Sequence, residues 1–204
     1  MIQEIIMNQK VSFNTSDDVF SPSAIDKGTL AMLSVVDVEE DDKVLDLGCG
    51  YGVVGITIGK IIGEDKVVMC DSSETAVELS KENIKMNGLS DMKVIQSDGL
   101  DNVKDSDFTL ILCNPPYHAD FSVAKRFIER GFTKLQIGGK MMMVTKRKEW
   151  YKNKLSSTFG GVHVHEIDGY YVFVSEKRSD KKPEKQKEQA KLSKKLQRKI
   201  DKGE

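Results

Sequence analysis

Cysteine is scarce in this chain: Cys49, Cys70 and Cys113 are an odd number, widely spaced and without a CxxC pair. That excludes a disulfide framework and the usual ligand spacing of a zinc site, so no metal is expected. Each cysteine stands at or just past the end of an apolar run and reads as a small buried hydrophobe. Long apolar runs are also missing. None approaches the roughly 18 residues of a membrane helix, and the opening MIQEIIMNQK carries Glu4 inside its hydrophobic stretch, unlike a signal peptide. A soluble, cytoplasmic protein with no membrane partner is expected. Internal repeats and interdomain linkers are absent too, and 204 residues with 39% hydrophobic content suit one core plus a tail.

The net charge of −1 conceals an asymmetry. Residues 181–204 hold ten Lys and Arg against four Asp and Glu, a net +6, while the remaining 21 basic and 28 acidic residues give −7. The tail lacks aromatics and cannot fold by burial alone. It is either a solvated extension or a source of phosphate contacts, and Leu192, Leu196 and Ile200 allow a short amphipathic helix.

From Lys43 to Ser175, short β-rich runs alternate with helical spacing, the pattern of βαβ units around a parallel sheet. Strands are expected at 43–48, 66–71, 92–96, 108–113 and 140–145, the last after a Gly138-Gly139 turn. Helices are expected at 52–62, 73–89, within about 120–136, and near 148–158. The helix over 73–89 opens on Ser72 or Ser73 as a cap and stops at Asn87-Gly88. Asp168-Gly169 between VHVHEI and YYVFVS signals a closing hairpin; His163 and His165 read as one face of it. The sum is an α/β, Rossmann-like, seven-stranded doubly wound sheet with an antiparallel C-terminal hairpin. Residues 1–40 read as an extended segment and a leading helix from about Asp26, residues 41–178 as the α/β domain, and 179–204 as the Lys-rich tail.

In such sheets a ligand lies beyond the carboxyl ends of the strands. Asp46-Leu-Gly-Cys-Gly-Tyr-Gly52 follows the first strand and puts three glycines in five residues, which permits close backbone approach. Asp71 ends the second strand, where a carboxylate can accept both ribose hydroxyls, and Asp98 follows the third, placed for an adenine amino group. Gly50, Gly52 and Gly55 also spell the dinucleotide fingerprint GxGxxG. Asp46 separates the two readings: a carboxylate at this turn repels a pyrophosphate but attracts the ammonium of a methionine moiety. The cofactor expected is therefore S-adenosyl-L-methionine.

The fourth strand ends in Asn114-Pro115-Pro116-Tyr117. An aromatic amine is a poor nucleophile because its lone pair is spread into the ring. The Asn114 side-chain oxygen and the Pro115 carbonyl can accept both amine hydrogens, the prolines fix those acceptors, and Tyr117 offers a stacking face. No strong general base is required. A base within a duplex must be flipped out or presented single-stranded. His118 either helps bind the base or is an ordinary loop histidine.

VLDLGCGYGVVGI, CDSSETAVELSKENIKMNG, LCNPPYH and DGYYVF together resemble the class I methyltransferases of the small-domain type, RsmC-like 16S ribosomal RNA guanine N-2 methyltransferases. VFSPSAIDKGTLAML resembles the segment that precedes that family's sheet, and the likeness runs from about residue 10 to 176. The resemblance implies the class I methyltransferase fold and methyl transfer to a guanine exocyclic amine in ribosomal RNA. It gives Asp46, Gly48 and Gly50 to the methionine part, Asp71 with Ser72 to the ribose, Asp98 with Gly99 to the adenine, and Asn114 to Tyr117 to the amine. Phe20, Ser21 and Asp26 would close over cofactor or substrate, with His118 beside the base. Two-domain relatives carry a second, degenerate domain for which this chain has no room. Its acidic body leaves RNA phosphates to the tail or to the partner in a homodimer. The same Asn-Pro-Pro-Tyr chemistry suits adenine or a protein glutamine, and a non-catalytic RNA-binding assembly factor is the remaining alternative.

Overall fold

A computed structural model of the chain describes residues 1–116 and 120–181. The elements run β1 (Ile2–Ile6), β2 (Gln9–Phe13), α1 (Lys27–Leu33), β3 (Val44–Leu47), α2 (Val53–Ile62), β4 (Val67–Asp71), α3 (Glu74–Met86), β5 (Lys93–Gln96), β6 (Phe108–Cys113), α4 (Phe121–Lys134), β7 (Leu135–Thr145), α5 (Lys148–Phe159), β8 (His163–Ile167) and β9 (Tyr170–Glu176). Seven strands form one sheet in the order β5-β4-β3-β6-β7-β9-β8. β5 through β7 are parallel, and β9 and β8 close the sheet antiparallel. The order reverses between β3 and β6, which places the crevice at the carboxyl ends of these two strands.

The central strands are apolar on both faces because helices cover both. Val44, Met69, Leu110, Leu112, Met142 and Val144 pack with α1, α2 and α3 on one side. Leu45, Leu47, Cys70, Ile111, Cys113 and Met143 pack with α4 and α5 on the other. This double burial makes parallel strands read as unbroken hydrophobic runs. All three cysteines are buried free thiols, and burial pushes the Cys70 thiol up to about 12. No helix among the described residues is long and apolar enough to cross a membrane.

Two features depart from the expected pattern. Residues 1–13, expected as part of an extended segment, form the β1–β2 hairpin, turned at Met7 and Asn8 with both φ values positive. Ile6, Val11 and Phe13 join the same core as β3 and α2. The hairpin is fastened to α3 by side-chain amides: Asn87 and Asn83 accept from the Ser12 and Asn14 amides at 3.0 and 2.7 Å and donate back to their carbonyls at 2.7 and 3.0 Å. Second, Gly138-Gly139 is not a turn before β7 but a bulge within it. The register with β6 jumps from Phe108–Leu135 to Leu110–Lys140, and a Cβ on Gly139 would stand 2.7 Å from the Phe108 carbonyl oxygen. The helix that opens near Ser73 stops where expected, ending at Met86 with Asn87 as its C-terminal cap.

The Asp168-Gly169 hairpin is as expected, with both residues at positive φ. The cap of α3 resolves to Ser73, whose hydroxyl accepts from the Ala76 amide at 3.3 Å. The Lys-rich tail reading falls, beyond Lys181, outside the described residues, as do Tyr117 and His118.

Candidate active site

The glycine turn after β3 is held from three sides. Gly48 and Cys49 amides donate to the Cys70 carbonyl of β4 at 2.9 and 3.0 Å. The Gly50 amide donates to Asp71 Oδ2 at 2.9 Å, and the Gly50 carbonyl accepts from Ser80 Oγ of α3 at 2.8 Å. Asn83, fully buried, donates to the Tyr51 carbonyl at 2.9 Å. Gly48, Gly50 and Gly52 all have positive φ, a backbone that β-carbon-bearing residues adopt only at a cost. Gly55 has a different reason: a Cβ there would meet the Met69 side chain at 2.6 Å, so this glycine lets α2 lie close on the sheet.

Asp46 is 3% exposed, and its Oδ2 accepts from the Gly55 amide at 2.8 Å. Burial raises its pKa to about 7, the Gly55 hydrogen bond opposes that rise, and the nearby Asp71 charge adds to it. The contact also answers the question left by the glycine fingerprint. A pyrophosphate needs the free amides at the start of the following helix, and here a carboxylate occupies one of them.

A cavity of about 380 Å³ opens above this turn, a volume within the range of small-ligand sites. Asp46, Gly48, Gly50, Asp71, Ser72, Asp98, Gly99, Asn114, Pro115 and Pro116 all line it, and Phe20, Ser21 and Asp26 line it from the α1 side. The described residues expected at the site therefore share one cavity, although several are used differently from expectation. Asp71 is already engaged with two backbone amides, Gly50 on Oδ2 and Ser73 on Oδ1 at 2.9 Å. A carboxylate has about four lone-pair sites, so acceptor capacity for hydroxyls is left. Asp98 forms an ion pair with Arg126 of α4 at an exposed rim. Sequence reasoning missed Arg126, which carried no motif of its own.

Asp26 lines the cavity and also has a structural task. Its side chain caps α1, accepting from the Thr29 amide at 2.9 Å, and Oδ2 also accepts from Asn114 Nδ2 at 2.8 Å. Thr29 Oγ1 accepts from the same nitrogen at 2.9 Å. Both hydrogens of the Asn114 amide are thus consumed on one side. Asn114 Oδ1 is buried and, among the described residues, has no hydrogen-bond partner. Leaving a buried acceptor unpaired costs about 1–3 kcal/mol, so such an atom marks a place where a donor belongs. Phe20 is 48% exposed at the rim, and Ser21 Oγ donates locally to the Ala24 carbonyl at 2.7 Å.

A doubly wound sheet of this order, with an acid at the glycine turn and another ending the next strand, defines the class I methyltransferase architecture. The chain belongs to the methyltransferase small domain family, whose model matches residues 10–174. It is 32% identical over 178 residues to the Bacillus subtilis (strain 168) protein YbxB, covering 84% of this chain and 89% of that one. It is 31% identical over 160 residues to the ribosomal RNA small subunit methyltransferase C of Pseudomonas putida (strain GB-1), covering 76% of this chain and 48% of that one. The T. thermophilus 16S rRNA N2 G1207 methyltransferase (RsmC), solved in complex with AdoMet and guanosine, superposes with a TM-score of 0.80 at 25% identity, over 87% of this chain and 50% of that one. The chain thus spans nearly all of the Bacillus relative and about half the length of the ribosomal RNA methyltransferases.

Proposed function

We propose that this protein transfers a methyl group from S-adenosyl-L-methionine to an exocyclic amine of a nucleobase, guanine N2 in ribosomal RNA. The observation that carries the reading is Asn114 Oδ1, buried and without a hydrogen-bond partner among the described residues, on a residue lining the cavity. The named activities of the ribosomal RNA methyltransferases it resembles support guanine as the base.

The residues fit the cofactor. Asp46 offers a buried carboxylate to the methionine ammonium, and Gly48 and Gly50 keep side chains out of its way. Asp71 and Ser72 face the ribose, and Asp98 and Gly99 the adenine. When bound, S-adenosylmethionine supplies an electrophilic methyl on a sulfonium sulfur. Asn114 does the work on the acceptor. Its amide is pinned by Asp26 and Thr29, so Oδ1 is preorganised to accept one amine hydrogen, with the Pro115 carbonyl for the other. Preorganised acceptors of this kind stabilise charge developing on the nitrogen without reorganisation during the reaction. Tyr117 keeps its role as the stacking face on sequence grounds, with His118 beside it, and Phe20 and Ser21 form the rim through which the base enters. The partner this implies is RNA, free or in a ribosomal particle, met in the cytoplasm.

The test offers methyl-labelled S-adenosylmethionine and separate pools of ribosomal RNA, transfer RNA, DNA and protein. Label in ribosomal RNA that digests to N2-methylguanosine is expected. Label in a methylated adenine or in protein would overturn the acceptor while leaving the cofactor chemistry in place.

A further inference from the structure

The body of the chain is acidic, yet one stretch at the acceptor edge carries three successive cations. β7 ends at Thr145, and Lys146, Arg147 and Lys148 follow. Register fixes where they stand. β7 runs parallel to β6 with Met143 opposite Cys113, so the chain leaves β7 beside Asn114 and Pro115. β9 begins at the same edge, with Tyr171 opposite Thr145.

Each cation sits over a ring: Lys146 Nζ 4.8 Å from the Tyr170 centroid, the Arg147 guanidinium 4.9 Å from Phe121, and Lys148 Nζ 4.7 Å from Tyr171. Phe121, the first residue of α4, stacks on Trp150 with centroids 4.4 Å apart. Three of the cations on α4 and α5 are neutralised locally, Arg126 by Asp98, Arg130 by Asp101 and Lys154 by Glu129. Lys148 meets Glu166 at 3.5 Å. Lys146 and Arg147 are exposed, and no carboxylate among the described residues forms an ion pair with either.

We infer that the Lys146-Arg147-Lys148 ridge, with the Phe121–Trp150 stack beside it, is the strip on which the single-stranded RNA flanking the target nucleotide lies. This rests on the RNA reading of the acceptor. Single strands are gripped by cations that follow the backbone and by aromatic faces that take neighbouring bases whatever their identity. A ring beneath each cation limits its motion before binding, which reduces the ordering cost of gripping a phosphate. The position fits such a strip, because the cofactor side of the sheet lies across β3 and β4. The ridge lies on the opposite side of Asn114, where the rest of a nucleic acid must leave the pocket.

The test is a full-length Lys146→Gln/Arg147→Gln variant, titrated with unmodified ribosomal RNA across a salt series and assayed for methyl transfer. Each lost single-strand phosphate contact flattens the slope of log K against log salt by about 0.7, so a decrease of about 1–1.5 is expected, with KM for RNA raised about tenfold. Cofactor affinity by calorimetry stays at the wild-type value and reports an intact fold. A Lys146→Arg/Arg147→Lys exchange keeps both charges and retains the slope. Should the neutral variant disturb folding, a loss of slope in this exchange variant contradicts a phosphate role. A neutral variant with wild-type slope and KM overturns the ridge alone, provided the wild type binds and methylates RNA. A wild type that binds no RNA overturns both the ridge and the RNA acceptor.

Discussion

The two sides of the cavity are built on opposite plans. Around β3 and β4, the side proposed to hold the cofactor, the polar side chains of the turn are already committed: Asp46 to Gly55, Asp71 to Gly50 and Ser73, Ser80 and Asn83 to the carbonyls of the glycine turn. On the side proposed for the acceptor, the Asn114 amide nitrogen is tied down twice and its oxygen has no hydrogen-bond partner among the described residues. The first plan suits a ligand of fixed shape held by a rigid frame. The second suits a group that is present only during turnover, because an acceptor satisfied by the protein would compete with the amine it is proposed to hold.

Breaking the acceptor side should have the largest effect on chemistry. Asn114→Ala is expected to lower the single-turnover methyl transfer rate by about 10²–10³-fold, the usual scale for deleting one preorganised catalytic hydrogen bond. Cofactor affinity, read by calorimetry, should change by less than about threefold. Equal losses in both would dissolve the division between the two sides.

Asp46→Asn probes the cofactor side and should act in two directions at once. Removing the charge proposed to meet the ammonium is expected to weaken cofactor binding about 10–100-fold. Without ligand the same change should stabilise the protein. The folded-state pKa of about 7 lies above the ordinary value of 3.8, so the fold opposes ionisation, and stability falls as pH rises from about 4 to about 7. An asparagine does not incur that cost and still accepts from Gly55, so a gain of up to about 4 kcal/mol at pH 8 is expected, shrinking to near zero at pH 4. Thermal melts at both pH values check it. By the same ionisation, wild-type cofactor affinity should fall as pH drops below about 7.

The smallest effect is expected from Asn83→Ala, which unties the hairpin from the glycine turn. It strands the Tyr51 carbonyl and the Asn14 amide, at about 1–3 kcal/mol, or a few degrees of melting temperature for a domain of this size. A wild-type melting temperature would show that the frame does not depend on this contact.

The sheet was largely legible because its central strands are buried on both faces and so read as apolar runs. The positions of Asp46, Asp71, Asp98 and Asn114 followed from where such strands end. What stayed hidden was set by contacts between distant residues. The β1–β2 turn is made by Met7 and Asn8 rather than Asn-Gly, so it carries no familiar signal. The bulge at Gly138-Gly139 is indistinguishable from a turn until its pairing with β6 is known. Asn83 looks like a helix-surface residue and Asn87 like a helix stop, yet both anchor the hairpin. The orientation of Asn114 depends on Asp26 and Thr29, more than 80 residues earlier in the chain, and no local pattern contains that information.

A structure of the protein with S-adenosylhomocysteine and guanosine bound together would put the acceptor clamp to the proof. Asn114 Oδ1 should lie about 2.7–3.2 Å from the exocyclic nitrogen of guanine, with Nδ2 still on Asp26 and Thr29. A complex in which that oxygen turns to a protein donor, or in which the amine is held by other groups, would contradict the role given to Asn114.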